Sequence, residues 1–399
     1  MKKMTLEKMT QKLQMQTVPE CFSAIYHEIR DSWEDRAQQI LSDDYIKNTL
    51  ADSYTLAGRV DIILQAAGQL RQNKALCLLV CLLERWVRQA AIDMQQYQPP
   101  AGVGLAYDFL HLFPAISTMP ESVAHLRQRG VPEEVIVETM AEYDYCVDMC
   151  QSNRGRPAFD LGRLRWIRCV ITNRLIRIGR FKYDLPGKYM QGFRVYREES
   201  GNMTVLADGI TVHCSGGVLG SAGMEDAAGS FTAQIEETET AVTGHPVMNG
   251  LVKKETVTLD KAVWRLVLSG EDNVPRIHIP PGNGFDKETM EASFEKARKI
   301  FRQCYPERPF KAFFCHTWLL SPQLRTILKP ESNILTFQNL FTPIPCYSQG
   351  NGCFSFLFGM TPKCPQDFMA LPEKTSLQRA VKQLYLDGGY LLEGEGFFF

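Results

Sequence analysis

The spacing of apolar residues changes once along the chain, and that change divides it. Up to about residue 155 the apolar positions recur at helical spacing, as in the stripe Val60, Ile63, Leu64, Ala67 and Leu70. Leu76 to Trp86 is apolar on nearly all sides, as a central helix covered by its neighbours would be. The opening segment, MKKMTLEKMTQKLQM, starts basic but lacks the apolar core of a signal peptide and reads as a helix. Thr17-Val18-Pro19-Glu20 predicts a helix through Ile29 with proline in its first turn. Another is expected from Pro132 to about Cys150, with Glu133, Glu134 and Glu138 toward its positive amino end. Asn153-Arg154-Gly155-Arg156-Pro157 then marks the expected boundary between a helical domain, 1–155, and a second domain, 156–399.

Beyond one further helix, Leu161 to Thr172 with Trp166, the period drops to two. Leu175 to Tyr183, Phe193 to Tyr196, Thr204 to Leu206 and Ile210 to His213 are short alternating segments between glycine-rich turns, as in antiparallel strands. Cys214 to Gly223 is glycine-rich, and reads either as a mobile loop between hairpins or as an anion cradle. Ala262 to Leu268, followed by Ser269 to Asn273, leads into a strand at Arg276 and suggests a hairpin. Arg276 to Ile279 alternates polar and apolar residues, and Pro280-Pro281-Gly282-Asn283-Gly284 stops the pairing and turns the chain. Asp286 can cap a helix with Met290, Phe294, Ala297 and Phe301 on one face. On the closing strand Phe310, Ala312, Phe314, His316 and Trp318 share a face. Short helices are expected from Ser321-Pro322 through Leu328 and from Ser332. A strand is expected at Cys353 to Phe358, a capping box at Thr375 and Gln378, and a terminal strand from Tyr390 to Phe399.

Composition narrows the function classes. At 399 residues two domains are expected, and a formal net charge of -1 lacks the basic excess of a nucleic-acid binder. The longest apolar run, Ala75 to Leu83, is about half of what a membrane span needs. Among twelve cysteines none forms a C-x-x-C pair. Cys77/Cys81 and Cys146/Cys150 are each four apart on predicted helices, either as buried free thiols of a reducing cytoplasm or as half of a metal site. No zinc signature is complete, so no metal is expected.

Four motifs carry a resemblance: IRIGRFKYDL (Ile176–Leu185), RIHIPPGNG (Arg276–Gly284), FFCHTWLLSP (Phe313–Pro322) and SNILTFQNLF (Ser332–Phe341). Together they resemble a family of predicted acyltransferases that pair a helical N-acyltransferase-type N-terminal domain with a GNAT-like C-terminal domain. The resemblance covers most of the chain. It implies an α/β (α+β) protein, an all-helical first domain followed by a GNAT-like mixed, mostly antiparallel sheet flanked by helices. It also implies acyl-CoA, or another acyl thioester, as co-substrate and a small-molecule or peptide amine as acceptor. In the GNAT fold the sheet splays between its fourth and fifth strands to admit the pantetheine arm, and pyrophosphate sits on the intervening helix. By that analogy Arg276–Pro280 and Lys311–Trp318 are those strands and Lys287–Cys304 the helix. The chain departs from the usual pyrophosphate loop: only Gly282-x-Gly284 is present, Ile279 stands where Arg or Gln is usual, and Asp286 adds a negative charge.

Acyl transfer to an amine needs a base, a donor to the developing oxyanion and a proton for the departing thiolate. His278, just before the turn, and His316 are the candidates for acid–base work, and Tyr347 for the thiolate's proton. Backbone amides of Pro281, Gly282, Asn283, Gly284 and Phe285 form the candidate phosphate-facing turn, proline contributing shape and no N–H. Each histidine is also readable as a packing residue, His316 the more so on its aromatic face. Cys315 cannot use His316 as its base, because neighbours on a strand face opposite ways. Glu393 and Glu395 read as a solvated edge. Two functions remain: an acyltransferase, or a non-catalytic GNAT-fold ligand-binding or interaction module, which the incomplete loop favours. The oligomeric state is open.

Overall fold

The computed structural model of the chain describes residues 4–89, 92–282 and 285–399. The chain forms two compact units, Met1–Ile178 and Gly179–Phe399.

The first unit is helical up to its closing strand, Leu175–Ile178. At its centre Lys74–Val87 is buried almost all round, as its apolar sequence requires. Asn73 caps this helix, its Oδ1 accepting from the amides of Ala75 and Leu76 at 3.0 and 3.3 Å. Trp86 stands edge-on to Phe22 and Tyr97, with centroids 5.7 and 5.6 Å away. Glu84 is buried on this helix and held by Arg36 and Arg88, without which its burial would be strongly destabilising. Cys77 and Cys81 are buried free thiols that donate to the Leu70 and Trp33 carbonyls, and Cys146 and Cys150 are buried and free as well. The second helix is Cys21–Ile29, with Glu20 at the position before it and no side-chain cap, so Pro19 precedes the first turn instead of occupying it. The stretch from Pro132 contains two helices, Glu133–Met140 and Glu142–Arg154, and Gly155 ends the second at φ 72°. Leu161–Ile171, capped by Asp160, belongs to the same unit.

In the second unit five strands run in the order Phe181–Asp184, Arg276–His278, Phe313–Thr317, Gly394–Phe398, Thr342–Ile344. Arg276–His278 and Phe313–Thr317 are parallel and the other neighbours antiparallel. A parallel pair requires a crossover, which Lys287–Cys304 supplies. Asp286 caps this helix by accepting from the Thr289 amide at 2.9 Å, and Met290, Phe294, Ala297, Ile300 and Phe301 are buried against the sheet. A second, antiparallel sheet runs Val257–Asp260, Ala241–Met248, Met203–Ala207, Phe193–Glu198, Trp264–Ser269. Phe314, Phe397 and Ile344 of the first sheet share one core with Phe193, Val195, Val205 and Leu268 of the second. The mixed sheet thus has the long helix on one face and the antiparallel sheet on the other.

Two sequence expectations are corrected. Trp264–Ser269 does not form a hairpin with Arg276–His278; it pairs with Phe193–Glu198, and the intervening turn carries the chain from one sheet to the other. Cys353 to Phe358 is not a strand but holds the short helix Phe354–Leu357. Phe354 and Phe358, four apart, are buried while Ser355 and Phe356 face outward, so tertiary burial at helical spacing overrides the β propensity of the aromatic run. No helix among the described residues is long and apolar enough to cross a membrane.

Candidate active site

The parallel ladder between Arg276–His278 and Phe313–Thr317 has only two rungs, Arg276 to Phe314 and Ile277 to Cys315. It stops there because Pro280 and Pro281 carry no amide hydrogen and Gly282, at φ 115°, turns the chain away. His278 stays tied to Lys182 on its outer side and His316 to Glu395 on its own. The two strands therefore part at the level of the histidines, each fixed by its outer neighbour. Alternation puts Arg276, His278, Phe314, His316 and Glu395 on the face away from the long helix. On the helix face the Tyr183 hydroxyl meets Ser293 Oγ at 2.9 Å and Cys315 is fully buried, donating to the Ile277 carbonyl at 3.5 Å. Burial pushes the Cys315 thiol well up, so it offers no nucleophile.

Asp184 anchors the outer side. Its Oδ2 accepts from Arg276 Nε at 2.8 Å and contacts His278 Nε2 at 3.1 Å. Burial alone would raise its pKa, but His278 and Arg276 outweigh burial and hold the carboxyl below the usual aspartate range. Sequence reasoning did not single out Asp184; the last residue of FKYD gives no local sign of its partners. His278 is thus bound into a carboxylate–guanidinium–imidazole group instead of standing free at the gap. Asp184→Asn is expected to destabilise the second unit by about 1.5–3 kcal/mol, nearer the lower figure because Arg276 is partly exposed. A carboxyl with a depressed folded pKa stabilises fully above its unfolded value, about 3.9, and loses that contribution as pH falls through the folded value. Urea unfolding at pH 7 and pH 3 checks both parts: the gap between wild type and Asp184→Asn should narrow in acid, and a gap that persists unchanged would contradict it.

At the gap, His316 Nδ1 lies 2.9 Å from Glu395 Oε1 across the antiparallel ladder. That hydrogen bond, partly opposed by burial, holds His316 above the ordinary imidazole range, with Glu393 adding and Arg276 subtracting. A ligating nitrogen of His316, Cys346 Sγ and a Glu395 oxygen all lie within 4.8 Å of one another. The Cys346 thiol donates to the Glu393 carbonyl at 3.4 Å, and burial beside two carboxylates keeps it protonated.

Glu395 also faces a cavity of about 540 Å³, within the range of small-molecule sites. Its walls come from Gly217, Val218, Ser221 and Met224, from Asn249 to Leu251, and from the segments around Leu320, Phe341, Ile344 and Glu393. The Glu393-Gly394-Glu395-Gly396 alternation near the end of the chain therefore has a purpose on each face, and the solvated-edge reading is corrected. A Cβ on Gly394 would lie 2.5 Å from the Leu320 carbonyl oxygen, and one on Gly396 2.9 Å from Phe341 Cβ. Glycine lets the neighbouring segments close on the strand, while Glu393 and Glu395 turn toward the cavity. The glycine-rich loop after Cys214 is likewise a wall and not an anion cradle. Its amides are committed within the protein, Leu219 N–H to Thr211 O at 3.0 Å, Ala222 N–H to Ser348 O at 2.9 Å and Gly223 N–H to the Glu225 carboxylate at 3.0 Å.

Of the expected phosphate-facing turn, Pro281 and Gly282 are exposed, while Asn283 and Gly284 lie outside the described residues. Phe285 packs on Phe181 and Phe337, with centroids 6.3 and 4.9 Å away. Arg180, which the sequence reading passed over, donates to the Pro280 carbonyl at 2.7 Å and so sets a positive charge against this turn. Asp286 spends its charge on its own helix cap. Tyr347 follows Cys346 with its ring exposed beside Gly220, outside the cavity lining.

Mixed sheet, parting strands and helical first unit together define an acyltransferase fold. Residues 59–172 match the N-acyltransferase N-terminal domain, and residues 175–398, more than half the chain, match the GNAT-like C-terminal domain. The chain belongs to this GNAT-like family, as its four sequence motifs imply. Solved structures share the fold over 99% of this chain and 99% of theirs. An acyltransferase in complex with decanoyl-CoA and teicoplanin superposes with a TM-score of 0.64 at 17% identity. One in complex with decanoyl-CoA gives 0.60 at 18%, and one with CoA and 10C-teicoplanin 0.61 at 16%. No curated protein matches the chain significantly.

Proposed function

We propose that the chain transfers an acyl group from acyl-CoA, or another acyl thioester, to the amine of a small molecule or peptide. The observation that carries this is the parting of the two parallel strands after Ile277 and Cys315, with the His316–Glu395 pair at the opening. The thioester enters the gap with its pyrophosphate toward Gly282, Phe285 and Arg180 at the amino end of the long helix. The amine nitrogen attacks the thioester carbonyl and the C–S bond breaks. The amine's proton passes to the His316–Glu395 pair, and the departing thiolate takes a proton on the exposed side, where Tyr347 stands. His278 orients the gap through Asp184. Acyltransferases of related fold in complex with decanoyl-CoA and teicoplanin, and with CoA and 10C-teicoplanin, support the carrier and an acceptor that is not a macromolecule. Twelve free cysteines fit a reducing compartment, and we place the protein in the cytoplasm.

Thermal unfolding with CoA, acetyl-CoA and decanoyl-CoA tests the carrier. At a hundred times its dissociation constant a ligand stabilises by about 2.7 kcal/mol. No stabilisation by any of the three would sink the acyl-CoA reading. The departure from the usual pyrophosphate loop favours one rival, a binding module, which predicts stabilisation by CoA but no release of CoA thiol with any amine.

A further inference from the structure

Resting on that reading, we propose that the cavity beside Glu395 is the acceptor site, that Glu393 is its ammonium-binding residue, and that the acceptor is a primary amine on an apolar body. The Glu393 carboxylate is held in place: Ser348 Oγ donates to its Oε2 at 2.8 Å, and its own amide donates back to Ser348 Oγ at 2.8 Å. Ser348 is in turn fixed by the Ser221 hydroxyl, which accepts from its amide at 3.2 Å. A Cβ on Gly352 would fall 1.9 Å from Glu393 Oε1, so glycine there is what gives the carboxylate its room.

Among the described residues no basic side chain forms an ion pair with Glu393, whereas Glu395 has His316 and Asp184 has Arg276 and His278. Arg325, the basic residue of the lining, donates from one guanidinium nitrogen to Asn339 Oδ1 at 2.9 Å, and no ion pair joins it to Glu393. The rest of the wall is largely apolar, including Val218, Met224, Leu251, Leu320 and Phe341. A carboxylate beside an apolar wall is costly until a cation neutralises it, and an alkylamine arrives protonated at neutral pH. Glu393 draws in the ammonium group, the apolar wall takes its substituent, and the His316–Glu395 pair next to it removes the proton that attack requires.

Calorimetric titration of the full chain with 2-phenylethylamine and n-octylamine, and with 1-octanol as the uncharged comparison, tests this. Both amines are expected to bind at least tenfold tighter than octanol. Glu393→Gln should remove that preference and leave acyl-CoA affinity within about twofold. Leu251→Trp, which fills the cavity from a partly exposed position, should weaken the amines alike without changing acyl-CoA binding. The assignment is overturned if Glu393→Gln binds the amines as tightly as wild type, if octanol binds as well as octylamine, or if either variant loses acyl-CoA affinity instead. Should acyl-CoA fail to bind wild type while the amines bind and need Glu393, the amine site stands and the transferase reading falls.

Discussion

His316→Ala is expected to lower kcat for acyl transfer by about 10²–10⁴-fold, the usual range for removing a general base. The effect belongs in kcat because His316 sits where the strands part and not on the pyrophosphate side, so KM for acyl-CoA should hold. The pH dependence separates this role from a structural one. Glu395 raises the imidazole pKa above 6.5, so the reactive neutral form accumulates only as pH rises through that elevated value. Activity should climb with pH through an inflection above 6.5, and Glu395→Gln, which removes the carboxylate's charge, should move the inflection down. An unchanged inflection in Glu395→Gln, or near-normal kcat in His316→Ala, would remove the pair from the chemistry. His278→Ala should cost less, since His278 acts through Asp184 and Arg276.

Phe313→Ala is expected to destabilise the second unit by about 3–5 kcal/mol, the range for deleting a fully buried phenyl ring. Phe313 lies in the middle of an aromatic cluster, with Phe398 and Phe310 at 5.2 Å, Phe294 at 5.5 Å and Tyr183 at 5.8 Å. The Arg298 guanidinium also stands 4.7 Å from its ring centre. These neighbours come from two strands, a helix and a loop, so they cannot all collapse into the space at once. For a unit of this size the loss corresponds to a melting shift of roughly 6–20 °C. A loss below about 1 kcal/mol would mean that the cluster is not packed as described. The same variant tests the site indirectly, because Phe313 holds the strand on whose other face His316 lies.

Much of the frame was legible from local signals. Asp286 as a cap, the helix Lys287–Cys304 and the Thr375–Gln378 capping box all appear where short-range hydrogen bonding demands them. The site was legible in part. His316 was found because it lies in a recognisable strand, but Glu395, its partner, is 79 residues away and sits in a glycine-flanked segment that looks solvated. Asp184 and Arg180 were missed for the same reason: their partners at Arg276, His278 and Pro280 come together only through strand pairing and the turn that follows.

What the chain's own pattern determined was the type and order of its elements, helices first and strands after, because period and caps depend on neighbours within a few residues. Only the tertiary structure decided which strands pair, that the glycines before and after Glu395 clear space for Leu320 and Phe341, and that one carboxylate in the cavity forms no ion pair among the described residues. Those are properties of contacts between distant segments, set by which surfaces can be buried together, and no local stretch of residues encodes them.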